Sequence, residues 1–305
     1  MKRTTLAVLT LALSTTLWAQ SQPNSTQNQP SAQPGAGQSA TPQQGTAPTQ
    51  PSGKRPLQAK TQAEFEAYNT AKNSNDPAAM EKAADDFAAK FPDSELRASL
   101  FQIAMRSYQQ ANNADKMMEM GRKVLKIDAD EPEALVGVAQ VLAERTRETD
   151  LDKDQRYDES IKLAQHALQT VDTDINAPAG TPQEKIDAYK NFLKSNTYYV
   201  LGTVQFNKEK YADAEGDFRK SIDALPSQPD PLVLLRLALS LDKQDKYPEA
   251  LKFADQAVQL TQENSQLGTL ARNERNRLAQ LTGTPSPAPA PKPPSSAQNP
   301  TPQRN

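Results

Sequence analysis

The chain has 305 residues and no cysteine, which excludes disulfides, thiolate metal sites, thiol nucleophiles and a lipid-modified cysteine behind an export signal. All 37 acidic residues lie between positions 57 and 281, and they outnumber Lys and Arg there by about 8, a balance that argues against nucleic acid, whose binding needs Lys and Arg to neutralise phosphate. It argues equally against a permanently membrane-bound surface helix.

Lys2 and Arg3 precede the apolar run Leu6–Leu13, and Leu17-Trp18-Ala19 leads into polar sequence. This is the order of a secretory signal, with removal expected after Ala19. The apolar stretch falls short of the ~20 residues a membrane-spanning helix needs, so residues 1–19 are read as a signal peptide. A periplasmic or secreted protein follows, with no stable membrane insertion after cleavage. Residues 20–56 are rich in Pro, Gln and Ser and carry no charge before Lys54. They lack the apolar side chains needed to offset the entropy of ordering, and are expected to be a disordered linker.

The foldable segment, 57–281, reads as successive amphipathic helices. In 61–94, Phe65, Tyr68, Phe87 and Phe91-Pro92 mark one helical hairpin, and Asp76-Pro77 supplies an N-cap followed by a first helical residue. Residues 98–131 carry Phe101, Ala104, Met105, Tyr108, Gly121 and Val124. Residues 132–174 carry Leu135, Val138, Ala139, Leu142, Ser160, Ala164 and Ala167, with an insertion around Thr146–Gln155 and a second helix expected from Tyr157. Thr181-Pro182-Gln183-Glu184 is a helix-start signal; it extends the first helix of the next unit back to about residue 183 and leaves 172–181 as an insertion between units. Residues 195–228 form the clearest unit and 231–264 the next, with Leu234, Leu237, Ala238, Leu241, Ala250, Ala254 and Ala257. A polar helix over 262–281 is expected to close the open end, which a stacked array requires. Residues 282–305 are a proline-rich tail, where Pro285–Pro294 favours the extended polyproline II form. No alternating β-branched pattern competes with the helices.

The units share a register. Tyr157-Asp-Glu-Ser160, Tyr211-Ala-Asp-Ala214 and Tyr247-Pro-Glu-Ala250 each open a second helix with a small residue three after the tyrosine. The unit length is about 34 residues. In 195–228, Tyr198, Leu201, Gly202, Ala214, Phe218, Ser221 and Pro226 stand at signature positions, with Gln205 where a tyrosine is usual. This resembles the tetratricopeptide repeat family, exported bacterial type, over nearly all of 57–281. The physics agrees: Gly202 and Ala214 are small where the hairpin's helices cross closely, Phe218 fills the space between hairpins, and Pro226 stops a helix. The expected fold is all-α, a right-handed solenoid of about five such hairpins with a C-terminal capping helix, flanked by disordered tails.

Chemistry-bearing motifs are sparse. His166 is the one histidine and has no matched partner for acid–base work. Asp150, Asp152 and Asp154 begin like a calcium loop, but Gln155 stands where the glycine is needed and Ile161 where the bidentate acid is needed. There is no phosphate-cradling glycine loop and no nucleophile elbow. No cofactor, no metal and no catalytic residue are therefore expected. Met105, Met117, Met118 and Met120 are read as core rather than partner surface.

The resemblance implies that the first helices of the hairpins line a concave face that holds an extended peptide or a partner helix. By repeat position the inward residues would be Gln102, Arg106 and Gln109; Gln140 and Glu144; Asn196, Tyr199, Thr203 and Asn207; and Leu239, Asp242 and Lys243. Amides and sparse charges suit a polypeptide partner. The function expected is an exported, non-catalytic protein–protein interaction scaffold. The alternatives are an envelope-assembly or cell-wall-associated component, reaching through its tails, and an enzyme acting on glycans through acidic residues alone.

Overall fold

The computed structural model describes residues 54–74, 76–178 and 180–284. The expected signal peptide, most of the 20–56 linker and the proline-rich tail from Pro285 onward lie outside the described residues. Eleven α-helices are described: α1 (Gln62–Ala71), α2 (Pro77–Lys90), α3 (Leu96–Gln110), α4 (Ala114–Ile127), α5 (Pro132–Arg145), α6 (Lys153–Thr170), α7 (Gln183–Asn207), α8 (Tyr211–Ala224), α9 (Pro231–Asp242), α10 (Tyr247–Gln259) and α11 (Gln266–Thr282). There is no strand among the described residues. None of these helices is long and apolar enough to cross a membrane.

Local chemistry sets the helix starts. Thr61 accepts from the Glu64 N–H, Asp76 from Ala79, Glu131 from Ala134 and Asp230 from Leu232, so each caps orphan donors of the first turn. Pro77, Pro132 and Pro231 follow three of these caps, where the missing N–H costs nothing. The final helix stops on Gly283, held at φ +69°, while the Thr284 N–H returns to the Ala279 carbonyl at 2.9 Å.

Three of the turns inside hairpins are alike. Asn112, Glu209 and Asp245 take positive φ near +58°. The N–H of the following residue reaches back to Tyr108, Gln205 and Leu241, at 2.9–3.0 Å. One left-handed residue thus reverses the chain in hairpins two, four and five, and no glycine stands at any of the three positions. The third hairpin departs from this. Its insertion is closed by Lys153 on Glu148 (2.7 Å) and by the Arg147 N–H on Asp150 (2.9 Å). As a result α6 begins at Lys153, four residues before the expected start at Tyr157. The helical stretch that the repeat register leaves out is held by ion pairs, a local device that the register does not encode.

Consecutive helices pack as hairpins and each hairpin packs on the next; α5 also touches α7, α7 touches α9 and α9 touches α11, so the first helices share one side of the array. Small residues allow the close crossings. Ser195 and Ser221 each donate to the other's backbone carbonyl at 2.8 Å, and Ser160 donates to the Ala139 carbonyl at 2.7 Å. A Cβ on Gly202 would stand 2.7 Å from the Phe218 ring, so only glycine leaves that ring its place. The core forms one large group around Phe218, Leu237, Leu241 and Leu278 and another around Met80, Leu100, Met105 and Met120. Met105, Met117 and Met120 are buried there and Met118 packs against them.

The described chain begins three residues before the expected edge of the repeats. Lys54 bridges Asp128 (2.8 Å) and Asp174 (3.2 Å), in the turns after α4 and α6. Arg55 pairs with Glu95 at 2.7 Å, and the Gln58 N–H donates to the same carboxylate. This short segment runs along the turns that link one hairpin to the next. Pairs this open to water contribute little individually, but together they tie three hairpins at one edge.

Candidate functional site

The side shared by the first helices carries two polar clusters. The first joins α3, α5 and α7. Arg106 Nε donates to Glu133 Oε1 at 2.6 Å, and its terminal nitrogen bonds the other oxygen, so the pair is bidentate. Tyr189 on α7 donates to Glu133 Oε2 at 2.5 Å. Gln102 spans Glu131 Oε1 (2.9 Å) and Glu133 Oε2 (2.7 Å). The Arg106 side chain keeps 46% of its surface open, whereas Glu133 keeps 15%. The guanidinium is thus held by Glu133 with the Tyr189 hydroxyl 3.5 Å from its terminal nitrogen, on a side chain that is otherwise partly exposed. Burial pushes the Glu133 carboxyl upward, but the Arg106 charge and the hydrogen bonds from Arg106, Tyr189 and Gln102 hold it below the usual carboxylate value.

Glu131 behaves in the opposite way. It is nearly fully buried. Burial, and then the Glu133 charge, raise its carboxyl from 4.5 to about 8. A raised folded pKa means that its stabilising contribution is fully present below pH 4.5 and is lost as pH rises through about 8. Glu131→Gln stays neutral at every pH and keeps an acceptor for the Ala134 N–H. Relative to wild type, this variant is expected to gain about 1–3 kcal/mol between pH 5 and pH 8.5. Urea midpoints at both pH values check it, and a difference that does not change with pH contradicts it.

The second cluster joins α5 and α7. Gln140 Nε2 (3.0 Å) and the Tyr199 hydroxyl (3.1 Å) both donate to Glu144 Oε1. Asn207 donates to the Ala143 carbonyl at 3.2 Å. Burial raises the Glu144 carboxyl, and burial together with the Glu144 charge raises the Tyr199 phenol. Thr203, one turn beyond Tyr199, is buried beside the Tyr199 phenol.

The residues expected on the inner face therefore divide. Gln102 and Arg106 belong to the first cluster, and Gln140, Glu144 and Tyr199 to the second. Tyr199 and Thr203 are buried rather than displayed, because Tyr199 packs near Phe218 with ring centroids 6.3 Å apart. Asn207 ties α7 to α5. Asp242 pairs with Arg277 of α11 at 2.5 Å, which makes it part of the C-terminal closure. Gln109 and Lys243 are exposed, and Asn196 and Leu239 are half-buried.

Counting repeat positions misses Glu131, Glu133, Tyr189 and Arg236. Glu131-Pro132-Glu133 reads locally as an N-cap and an acidic first turn, which hides its second use. Tyr189 lies on the backward extension of α7, outside the repeat register. Arg236 stands three before Leu239, on the same helix face, and that spacing was the available signal.

Elsewhere the chemical groups are engaged simply. His166 Nε2 lies 2.7 Å from Asp130 Oδ1 on the surface. Asp150 pairs with Arg156 at 3.6 Å. Among the described residues no three His, Asp or Glu side chains converge as a metal site would require.

No family model matches the chain, and no characterised protein matches it in sequence. Solved structures do share its architecture. PilF of Pseudomonas aeruginosa is 20% identical, with 73% of this chain and 87% of that one covered at a TM-score of 0.50. MamA is 14% identical, with 65% and 89% covered at 0.44, and Acl4, an assembly chaperone of RpL4, is 13% identical, with 72% and 98% covered at 0.38. The hairpin register, the shared turn, the Gly202–Phe218 contact and the likeness to PilF together give this chain the tetratricopeptide-type fold, a solenoid of helical hairpins.

Proposed function

We propose that the chain is an exported, non-catalytic scaffold that binds a peptide or partner protein along the side formed by α3, α5, α7 and α9. The observation that carries this reading is the Arg106 guanidinium. It is fixed by a bidentate bond to Glu133, on a side chain that keeps 46% of its surface exposed, so it is oriented before any partner arrives, and preorganisation lowers the cost of binding. The amides and exposed polar groups along the same helices suit hydrogen bonds to a polypeptide. Lys2, Arg3, the short apolar run and Ala19 support export.

Gln109, Asn196 and Lys243 are the positions to test, since none has a side-chain hydrogen bond or ion pair among the described residues. Substituting a photo-crosslinking amino acid at each, in the native cell, is expected to trap one protein species at all three. The same probe at Lys162 or Gln165 of α6 should not trap it. Equal trapping from α6 would move the binding surface away from the first helices. Recovery of the chain from the periplasm or medium with Gln20 as its first residue is expected; a chain starting at Met1 in the cytosol would refute export.

A further inference from the structure

The charges along the first helices do not all balance internally. Glu133 has Arg106, and Asp242 has Arg277. Glu144 lies eleven residues, three helical turns, beyond Glu133 on the same stripe of α5, and no cation comes within 4.0 Å of it among the described residues. Both of its donors, Gln140 and Tyr199, converge on Oε1, so Oε2 receives no hydrogen bond. Oε2 is not among the buried atoms that lack a partner, so it stands open to solvent and to an incoming donor. Across α7 the opposite charge is in the same position. Arg236 of α9 is half-buried, rests over the Phe206 ring at 5.8 Å from its centroid, and has no carboxylate within 4.0 Å.

The two charges feel one another without meeting. Arg236 offsets part of the rise that burial imposes on Glu144 and on the Tyr199 phenol. The helix between them explains why no pair forms. Packed helices stand about 8–10 Å apart, so α5 and α9 are held one helix-width from contact, with α7 and Tyr199 between.

We propose that Glu144 and Arg236 form a two-charge recognition centre for an extended polypeptide, Glu144 taking a lysine or arginine side chain of the partner and Arg236 taking an aspartate or glutamate. The proposal rests on the reading that the first helices bind a polypeptide, and it specifies what that polypeptide carries. A cation on Glu144 Oε2 completes the carboxylate with a charge-assisted bond. A carboxylate on Arg236 uses the guanidinium fork, whose planar geometry suits two parallel bonds while the aromatic face of Phe206 holds it. Successive same-side residues of an extended strand alternate at period two, so both partner charges must lie on one face of the strand.

The test uses the full chain and immobilised extended peptides built on a neutral Ser/Asn frame. Four sets are compared: neutral, lysine only, aspartate only, and both on one face at varied spacing. At least one two-charge spacing is expected to bind about tenfold more tightly than either single-charge set. Glu144→Gln keeps an oxygen for Gln140 and Tyr199, and it should erase the lysine advantage alone. Arg236→Gln should erase the aspartate advantage alone. Glu144→Lys should turn the lysine preference into an acidic one. Far-ultraviolet dichroism melting of each variant confirms that it is folded, and Gln165→Ala on the exposed face of α6 serves as a folded control that keeps both preferences. Binding without charge preference, or preferences unchanged in both amide variants, overturns the two-charge centre. Should the peptides still crosslink through Asn196 in that case, the first-helix reading stands without it. Absence of any crosslink on that side removes both.

Discussion

Phe218→Ala is expected to destabilise the repeats by about 3–5 kcal/mol, the usual cost of deleting a buried phenylalanine ring. Phe218 has no exposed surface and belongs to the same core group as Val233, Leu237 and Ala238 of the following hairpin. Its ring also lies where a side chain on Gly202 would be, with only 2.7 Å between that Cβ position and the ring. Phe218 therefore serves two interfaces, within its own hairpin and toward the next. In an array where each unit touches only its neighbours, losing such a contact weakens the seam between units more than the units themselves. Denaturant unfolding followed by dichroism measures the total loss. Amide exchange should show α9, α10 and α11 losing protection first, as a local opening. A loss below about 1 kcal/mol would mean that the neighbours collapse into the vacated space.

Arg106→Met should cost about 2–3 kcal/mol. Breaking a fully buried ion pair from one side costs about 3–5 kcal/mol, and the open face of Arg106 lets water recover part of that. The remaining acid is the reason for the loss. Glu133 would sit sheltered beside the buried Glu131 with only Tyr189 and Gln102 to serve it. The depressed folded pKa of Glu133 sets the pH signature: its contribution is present above about pH 4.5 and is lost as pH falls. The wild-type advantage should accordingly shrink in acid. Arg106→Met combined with Glu133→Gln should recover most of the loss at neutral pH, since the unpaired charge is gone. A double-mutant cycle reads this directly. Additive losses would show that the two residues act separately and that the bidentate pair is not what joins α3 to α5.

How far the sequence reaches depends on the range of the interaction involved. Asp76-Pro77 was readable as a helix start, because capping and proline act within one turn of chain; near Thr181-Pro182 a helix does start, at Gln183, but Pro182 is its N-cap without a side-chain bond and the Thr181 hydroxyl donates to Pro178 instead. The core positions Leu201, Gly202, Ala214 and Phe218 were readable because a repeated unit returns the same packing problem at the same spacing. The start of α6 was not readable. Lys153, Glu148, Asp150 and Arg147 settle it with ion pairs and a turn inside an insertion that no other hairpin shares.

The inner side was legible only in outline. Repeat position brought out Gln102, Arg106, Gln140 and Glu144 as members of one surface. It also brought out Tyr199 and Thr203, which the packing of α7 buries, and Asp242, which the closing helix takes up through Arg277. The order, number and pairing of the helices are thus determined by the sequence itself, since caps, apolar spacing and small crossing residues all act locally or recur. The tertiary structure alone decides which charges on the first helices are satisfied. Glu133 meets Tyr189 across 56 residues of chain, and Glu144 and Arg236 stand on α5 and α9, each of which packs on α7. Such distances carry no periodic signal, because the electrostatic balance of a side chain is set by whichever neighbours the stacking of hairpins places beside it.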